Sequence, residues 1–297
     1  MTTPPTASHA TPGGPSPAYP RTGSGLYHAL RLTPIERRAA LHLWLNWWHE
    51  ISRIPFDVHD PGVAETKLRW WQQELARTEQ GQPQHPLMRD RLTLAHNGGS
   101  LAWPDAALWQ QQLDGMVQLV HQTRWMDDSA FVQHARLSTG AACEGAACLL
   151  GTQSDQARAA ARQLGLGLRL AHRLVRLGQD ARAGWVLVGI DLLQAHDVRA
   201  HQLTKPDLAQ PPTGLLPLLD ALQQSADAAL ADGLAQVRTL PAREARALRP
   251  LVYLALLARR TMREAVSQGP LILSQRVTLT PLRKSWMAQQ VAWGWLR

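Results

Sequence analysis

Between Leu164 and Asp180 the chain reads LGLGLRLAHRLVRLGQD, an apolar run interrupted by Arg169, His172, Arg176 and Asp180 at three- and four-residue steps. On an α-helix that spacing sets the four side chains in one row. Guanidinium forks match the oxygens of phosphate and carboxylate, so such a row can hold an anion directly through charge-assisted hydrogen bonds. The same spacing also describes a solvated outer face, and the residues alone leave both readings open. Gly165 and Gly167 in the same run point to close packing against neighbouring helices.

Other constellations are weaker. Asp127-Asp128 could open an acidic metal motif, but Ser129, Ala130, Phe131 and Val132 follow, so no third carboxylate shares its face. A helix N-cap is the expected role. The 12 histidines include no His-x-x-x-His pair with a usefully placed Glu, which argues against a zinc helix. Cys143 and Cys148 are five apart, a step that turns a helix by about 500° and separates the sulfurs. Both are expected to be packing residues. The pairs Trp47-Trp48 and Trp70-Trp71 suit either the core or the wall of a pocket for a long apolar ligand.

The composition narrows the partners. Of 31 basic residues only Lys67, Lys205 and Lys284 are lysine, so the formal charge of +8 is carried almost wholly by arginine. Diphosphates and anionic lipid headgroups are admissible. No lysine-rich run or aromatic-interleaved basic strip marks a nucleic-acid surface, and no nucleic-acid partner is expected. No stretch approaches the ~20 apolar residues of a membrane span, and the N-terminus has no apolar signal core. The expected location is the cytoplasm, with peripheral membrane contact compatible.

Helices must position these residues. Met1 to Gly23 is rich in Pro, Thr, Ser, Gly and Ala without an acidic residue, a composition that predicts a disordered tail. Thr33-Pro34-Ile35-Glu36 predicts a capped helix start, followed by Ile35, Ala39, Leu43, Trp47 and Ile51 every four residues. That helix is apolar nearly all round and should be central. Asp60-Pro61, Pro104, Asp127, Ser154, Pro217, Pro241 and Pro281 mark later starts, and Gly81 and Asn97-Gly98-Gly99 mark stops. About eight helices and no sheet are predicted, with Leu271 to Thr280 as an extended connector.

These residues carry a likeness. Leu164 to Val198 resembles, without a gap, the second motif region of the squalene/phytoene synthase family, with Gly165, Leu170, Gly178, Asp180, Ala181, Arg182, Gly184 and Asp191 in place. Tyr27, Ala29, Pro34, Glu36-Arg37-Arg38, Lys67-Leu68, Trp71, Gly81 to Pro86, Arg276-Val277 and Arg283 to Trp286 extend the resemblance over residues 24–297. It implies one all-α domain, an isoprenoid synthase-like helical bundle with a central cavity. It also implies an enzyme joining two prenyl diphosphates head to head, with Mg²⁺ held by two aspartate-rich motifs.

The motifs themselves are degenerate. The family's Arg-Glu-x-Asp-Asp-x-x-Asp run falls on His49 to Phe56, leaving none of its aspartates, and the first Asp of the second motif falls on Arg176. Against the resemblance, Ser52, Phe56, Arg176 and Asp180 occupy metal-facing positions and carry no net charge. Mg²⁺ needs several oxygen ligands, so no metal site and no cofactor are expected. His49, Arg53, Arg169, His172, Arg176 and Arg182 are instead the candidate anion-binding residues, and Tyr27, Trp47, Trp48 and Asp180 the candidate pocket. Pro55 is expected to break the helix at the pocket mouth. The expected function is a family member that has lost condensation and binds an isoprenoid diphosphate or lipid. By analogy with fold relatives that assemble respiratory complex I, it would act with a protein partner. The competing expectation is an active prenyltransferase of squalene, phytoene or hopanoid type with an altered site.

Overall fold

Four helix starts follow from local chemistry: the side chains of Ser24, Asp60, Ser154 and Thr280 each accept a hydrogen bond from the backbone N–H three residues on. Such caps satisfy donors that a helix start leaves orphaned. The computed structural model describes residues 19–97 and 101–295. Its helices begin with α1 (Gly25–Leu32), α2 (Ile35–Asp57), α3 (Pro61–Glu79), α4 (Pro86–Asn97) and α5 (Ala106–His121). Then come α6 (Asp128–Ala135), a π-helical turn at Arg136–Gly140, α7 (Ala141–Leu150), α8 (Asp155–Val175) and α9 (Leu177–Arg182). The second half holds α10 (Ile190–Ala195), α11 (Ala200–Thr204), α12 (Leu215–Thr239), α13 (Ala242–Ala247), α14 (Arg249–Ser267) and α15 (Pro281–Trp293).

The centre is α8, buried on nearly every side between α7, α12 and α14. Its glycines make that possible. A Cβ on Gly165 would lie 2.6 Å from the Thr139 carbonyl oxygen and 2.8 Å from Gly140 Cα, whereas one on Gly167 would lie 2.6 Å from Leu230 Cγ on α12. Two residues turn a helix by about 200°, so the glycines admit a neighbour on each flank. Gly165→Ala should therefore lower the unfolding free energy by about 1 to 3 kcal/mol, although alanine favours a helix by about 1 kcal/mol. A urea titration showing no loss would mean that the π-helical turn and α8 separate freely.

Several expectations need correction. A two-stranded parallel sheet joins β1 (Arg124–Trp125) to β2 (Val186–Gly189), strands too short for a period-two signal. The helices are also more numerous and shorter than predicted, partly because Arg176 leaves helical geometry (φ −103°, ψ 7°) and divides α8 from α9. Thr33 does not cap α2; its hydroxyl donates to the Ala29 carbonyl one turn back. Ile35 and Ala39 are exposed, so α2 buries one face, through Leu43, Trp44, Trp47 and Ile51. Pro55 is inside α2 and buried, and the helix continues to Asp57. A proline in the last turn forfeits a single ladder bond, which burial of its ring offsets.

The packed chain also starts earlier than its composition suggests. Residues 1–18 and Gly98-Gly99 lie outside the described residues, but Pro20 is buried and the Tyr19 ring stacks on His49 at 3.9 Å. One aromatic contact thus anchors residues that sequence bias assigns to the tail.

Candidate functional site

Buried charge gathers where α8 passes α6 and enters α9. Arg173 is 1% exposed and forks onto Asp128, Nη1 to Oδ1 at 2.5 Å and Nη2 to Oδ2 at 3.2 Å, while Nη1 also donates to the Leu187 carbonyl at 3.3 Å. Asp128 Oδ1 accepts from the Gly189 N–H at 3.0 Å, and Asp191 Oδ1 accepts from the Asp128 N–H at 2.9 Å. This network ties the first turn of α6 to β2 and α8. It also corrects the reading of Asp127-Asp128, because Asp127 occupies the cap position without a side-chain cap bond and Asp128 serves as the arginine's counter-ion.

One turn earlier on α8, Arg169 is 9% exposed and has no carboxylate among the described ion pairs. Its guanidinium lies 5.5 Å from the Phe131 ring centroid, and that of Arg173 lies 4.6 Å from the same ring. Burial, with Arg173 and Arg176 nearby, pulls Arg169 down to about 10 against the opposing pull of Asp180. It stays protonated. Arg169 Nη1 donates to His172 Nδ1 at 3.2 Å. Burial, then the charges of Arg169, Arg176 and Arg276, push that imidazole down to about 3. Yet His172 is open to solvent-sized space.

Arg176 closes the row. Its Nε and Nη2 both reach Asp180 Oδ1 at 2.9 Å, and Asp180 is only 4% exposed. Burial raises the Asp180 carboxyl above its ordinary range, and Arg176 followed by Arg169 offsets part of that rise. The site thus sets Arg169, Arg173, Arg176 and the nearby Arg276 against Asp128 and Asp180, an arrangement positive overall.

His134 on α6 supplies a pH response. It is buried, its Nδ1 faces Gln118 Oε1 at 3.3 Å, and burial followed by the charge of Arg169 pushes it from 6.5 to about 3. Below pH 6.5 the unfolded imidazole takes a proton that the folded one refuses. Stability is therefore full above pH 6.5 and declines as pH falls toward 3, by about 1.4 kcal/mol per unit for this residue. His134→Gln should flatten that slope in denaturant titrations at pH 7 and pH 5; an unchanged slope would assign the acid sensitivity elsewhere.

The other candidates are dispersed. Arg53 pairs with Asp57 at 2.6 Å and donates to His49 Nε2 at 3.2 Å, all along α2, and no described contact joins His49 or Arg53 to Arg169 or Arg176. Arg182 is exposed and donates to the Ser274 carbonyl at 3.4 Å. Trp47 is wholly buried, edge-on to Trp71 and Trp109 at 5.0 Å each, and belongs to the core. Trp48 is half-buried against that core. Tyr27 lies on α1, its hydroxyl accepting from Arg31 at 3.2 Å. Between the two motif regions the described ring contact is apolar: Phe56 at the end of α2 meets Trp185 just past α9 at 4.9 Å.

Arg173, Asp128 and Arg276 were absent from the predicted site. Arg173 has a sequence signal, since it follows Arg169 by four residues; Asp128 lies 45 residues before Arg173 and Arg276 far beyond the row in sequence, and only folding brings them near.

The squalene/phytoene synthase family profile matches residues 20–283. This chain belongs to the squalene/phytoene synthase family. Solved structures agree on the fold. A dehydrosqualene synthase in complex with ligand superposes with a TM-score of 0.73 at 15% identity, covering 91% of each chain. Squalene synthase HpnC from Alicyclobacillus acidocaldarius gives 0.68 at 14% identity, over 82% of this chain and 88% of that one. YisP from Bacillus subtilis subsp. subtilis strain 168 gives 0.65 at 14% identity over 89% of each. No curated protein sequence matches this family member. The all-α isoprenoid synthase fold of the family is the fold seen here; the stretch resembling the second motif region runs from α8 through α9, β2 and α10, and the one resembling the first lies on α2.

Proposed function

We propose that this protein binds an apolar-tailed phosphate or diphosphate on the Arg169–His172–Arg176 row without a metal ion, and does not carry out Mg²⁺-dependent condensation of prenyl diphosphates. The observation that carries the reading is the Arg176–Asp180 pair. Where the family resemblance calls for carboxylates around Mg²⁺, the surviving aspartate is held by the arginine that replaces its partner. A hard divalent cation needs several oxygen ligands, and among the described residues no three His, Cys, Asp or Glu side chains form a group able to hold one. Phe56 adds to the misfit by placing a ring, not a carboxylate, toward α9. The residues suit an anion instead. Arg169 is buried, charged and without a carboxylate partner of its own, and a phosphate oxygen would complete it. The partly buried rings of Phe56 and Trp185, in contact just past α9, give an apolar tail something to lie against.

Retained condensation would require carboxylates from elsewhere in the chain. Glu50 and Asp57 are nearest in sequence to the first motif, but both line a small hollow of about 190 Å³ shared with Arg53 and Lys67, and Asp57 is already paired. Purified full-length protein incubated with farnesyl or geranylgeranyl diphosphate should yield no squalene, phytoene or presqualene diphosphate with or without Mg²⁺. It should bind the prenyl diphosphate equally well in EDTA. Product formation, or binding abolished by chelation, would overturn the proposal.

A further inference from the structure

The C-terminal helix wears its apolar face outward. Along α15, Leu282, Trp286 and Trp293 fall within about 40° of one another on the helical wheel, and all three are exposed, Leu282 at 83%. The opposite face, with Ala288 and Val291, is the one that packs on α1 and α14. Gly294 then turns the chain in the left-handed region (φ 78°), bringing the exposed Trp295 ring to 4.7 Å from Trp293, while Trp286 lies 6.0 Å from Trp293 on the other side. Exposed large apolar groups gathered in one place mark an interaction surface.

Charge borders this surface. Between α14 and α15 lies a hollow of about 420 Å³ walled by Leu256, Leu279, Met287 and Trp286 and edged by Arg259, Arg260, Arg263 and Arg283. Arg259 pairs with Asp227 at 2.9 Å, and Arg283 reaches Glu264 only at 3.6 Å. Arg260 and Arg263 are exposed and have no ion pair among the described residues.

We infer that α15 and the α14–α15 hollow form a docking surface for an anionic phospholipid bilayer, with the tryptophan row entering the headgroup layer and the arginines meeting lipid phosphates. Tryptophan is the residue of the membrane interface because its ring is apolar and its N–H polar. A helix presenting such a row beside cationic side chains is built to lie in that plane. The hollow is of ligand size and apolar inside a cationic rim, which suits one lipid phosphate and the upper part of its chain. A second copy of this chain is a poor occupant. A two-fold interface would set the same arginines against each other, and like charges oppose that contact. No described helix is long and apolar enough to cross a membrane, so the contact is one of surface attachment. It involves none of the α8 residues and stands independently of the function proposed above.

The test uses the full-length protein sedimented with vesicles of phosphatidylcholine alone and of phosphatidylcholine mixed with phosphatidylglycerol. The protein should pellet with the anionic vesicles, stay in the supernatant with the neutral ones, and be released by high salt but not by soluble inorganic phosphate at equal ionic strength. Arg260→Glu/Arg263→Glu should weaken that partition by about tenfold or more. Trp286→Ser/Trp293→Ser should weaken it comparably and abolish the blue shift of tryptophan emission. Both pairs of substitutions sit on exposed positions and should leave the melting temperature and prenyl diphosphate binding unchanged. Failure of the wild-type protein to pellet, equal pelleting with neutral vesicles, or pelleting indifferent to both variants would overturn the inference. So would displacement by inorganic phosphate, which would assign the hollow to a soluble anion. A concentration-dependent dimer lost in the tryptophan variant would overturn it in favour of self-association, and saturable capture of an acidic peptide with no vesicle binding would overturn it in favour of a protein partner.

Discussion

Arg173→Met is expected to lower the free energy of unfolding by about 3 to 5 kcal/mol, the cost of breaking a buried ion pair from one side. The guanidinium is almost wholly enclosed, so what remains after substitution is Asp128 with a charge and one neutral donor, the Gly189 N–H. For a domain whose total stability is of order 5 to 15 kcal/mol, that is a large share. The partner matters more than the pair. Adding Asp128→Asn to Arg173→Met removes the stranded charge while keeping an acceptor for Gly189, so the double variant should be more stable than Arg173→Met alone. A denaturant series at neutral pH would read both. If Arg173→Met cost less than about 1 kcal/mol, or if the two substitutions added without coupling, the network would be reduced to packing around Phe131.

The same network separates what the sequence makes legible from what it does not. The row Arg169, His172, Arg176 and Asp180 is readable because helical spacing is a local property, and the structure keeps those four together. Gly165 and Gly167 are readable for the same reason. Their neighbours are not, since which helix lies against each glycine is settled by the chain's long-range packing. Asp128 and Arg276 reach the row only through the fold.

Local spacing leaves other side chains undecided. Trp47 suits either core or pocket wall by sequence and is enclosed by Trp71 and Trp109, whereas Arg53, the anion candidate that the resemblance offers, is turned to Asp57. An alignment places residues on a backbone and says nothing of rotamers or partners. With no aspartate at those α2 positions, the contact that α2 makes toward α9 carries no charge. An apolar contact, Phe56 on Trp185, occupies the approach instead. Tyr19 illustrates the reverse error, a residue in a stretch of disorder-prone composition that is fixed by stacking on His49. Burial pushes its phenol up to about 12, so composition alone misplaced the start of the packed chain.

Arg176→Ala should weaken the binding of a prenyl diphosphate or acidic lipid to the Arg169–His172–Arg176 row by roughly tenfold or more, since each charge-assisted contact is worth about 1.5 to 3 kcal/mol. Two effects act in the same direction. The substitution removes a cation from the row, and it frees the carboxylate of Asp180, 2.9 Å away in the native pair, to repel the incoming anion. Arg176→Lys separates them: an ammonium keeps the charge but cannot supply the guanidinium fork, so its loss should fall between those of the native protein and the alanine variant. Arg158→Ala is the control, because that residue lies near the start of α8 and pairs with the exposed Asp155. Isothermal titration in EDTA should give the same ranking as titration in Mg²⁺. Binding indifferent to Arg176 in both media would return the row to a solvated helix face, and a ranking that appeared only with Mg²⁺ would point to a metal ion bridging the anion to Asp180.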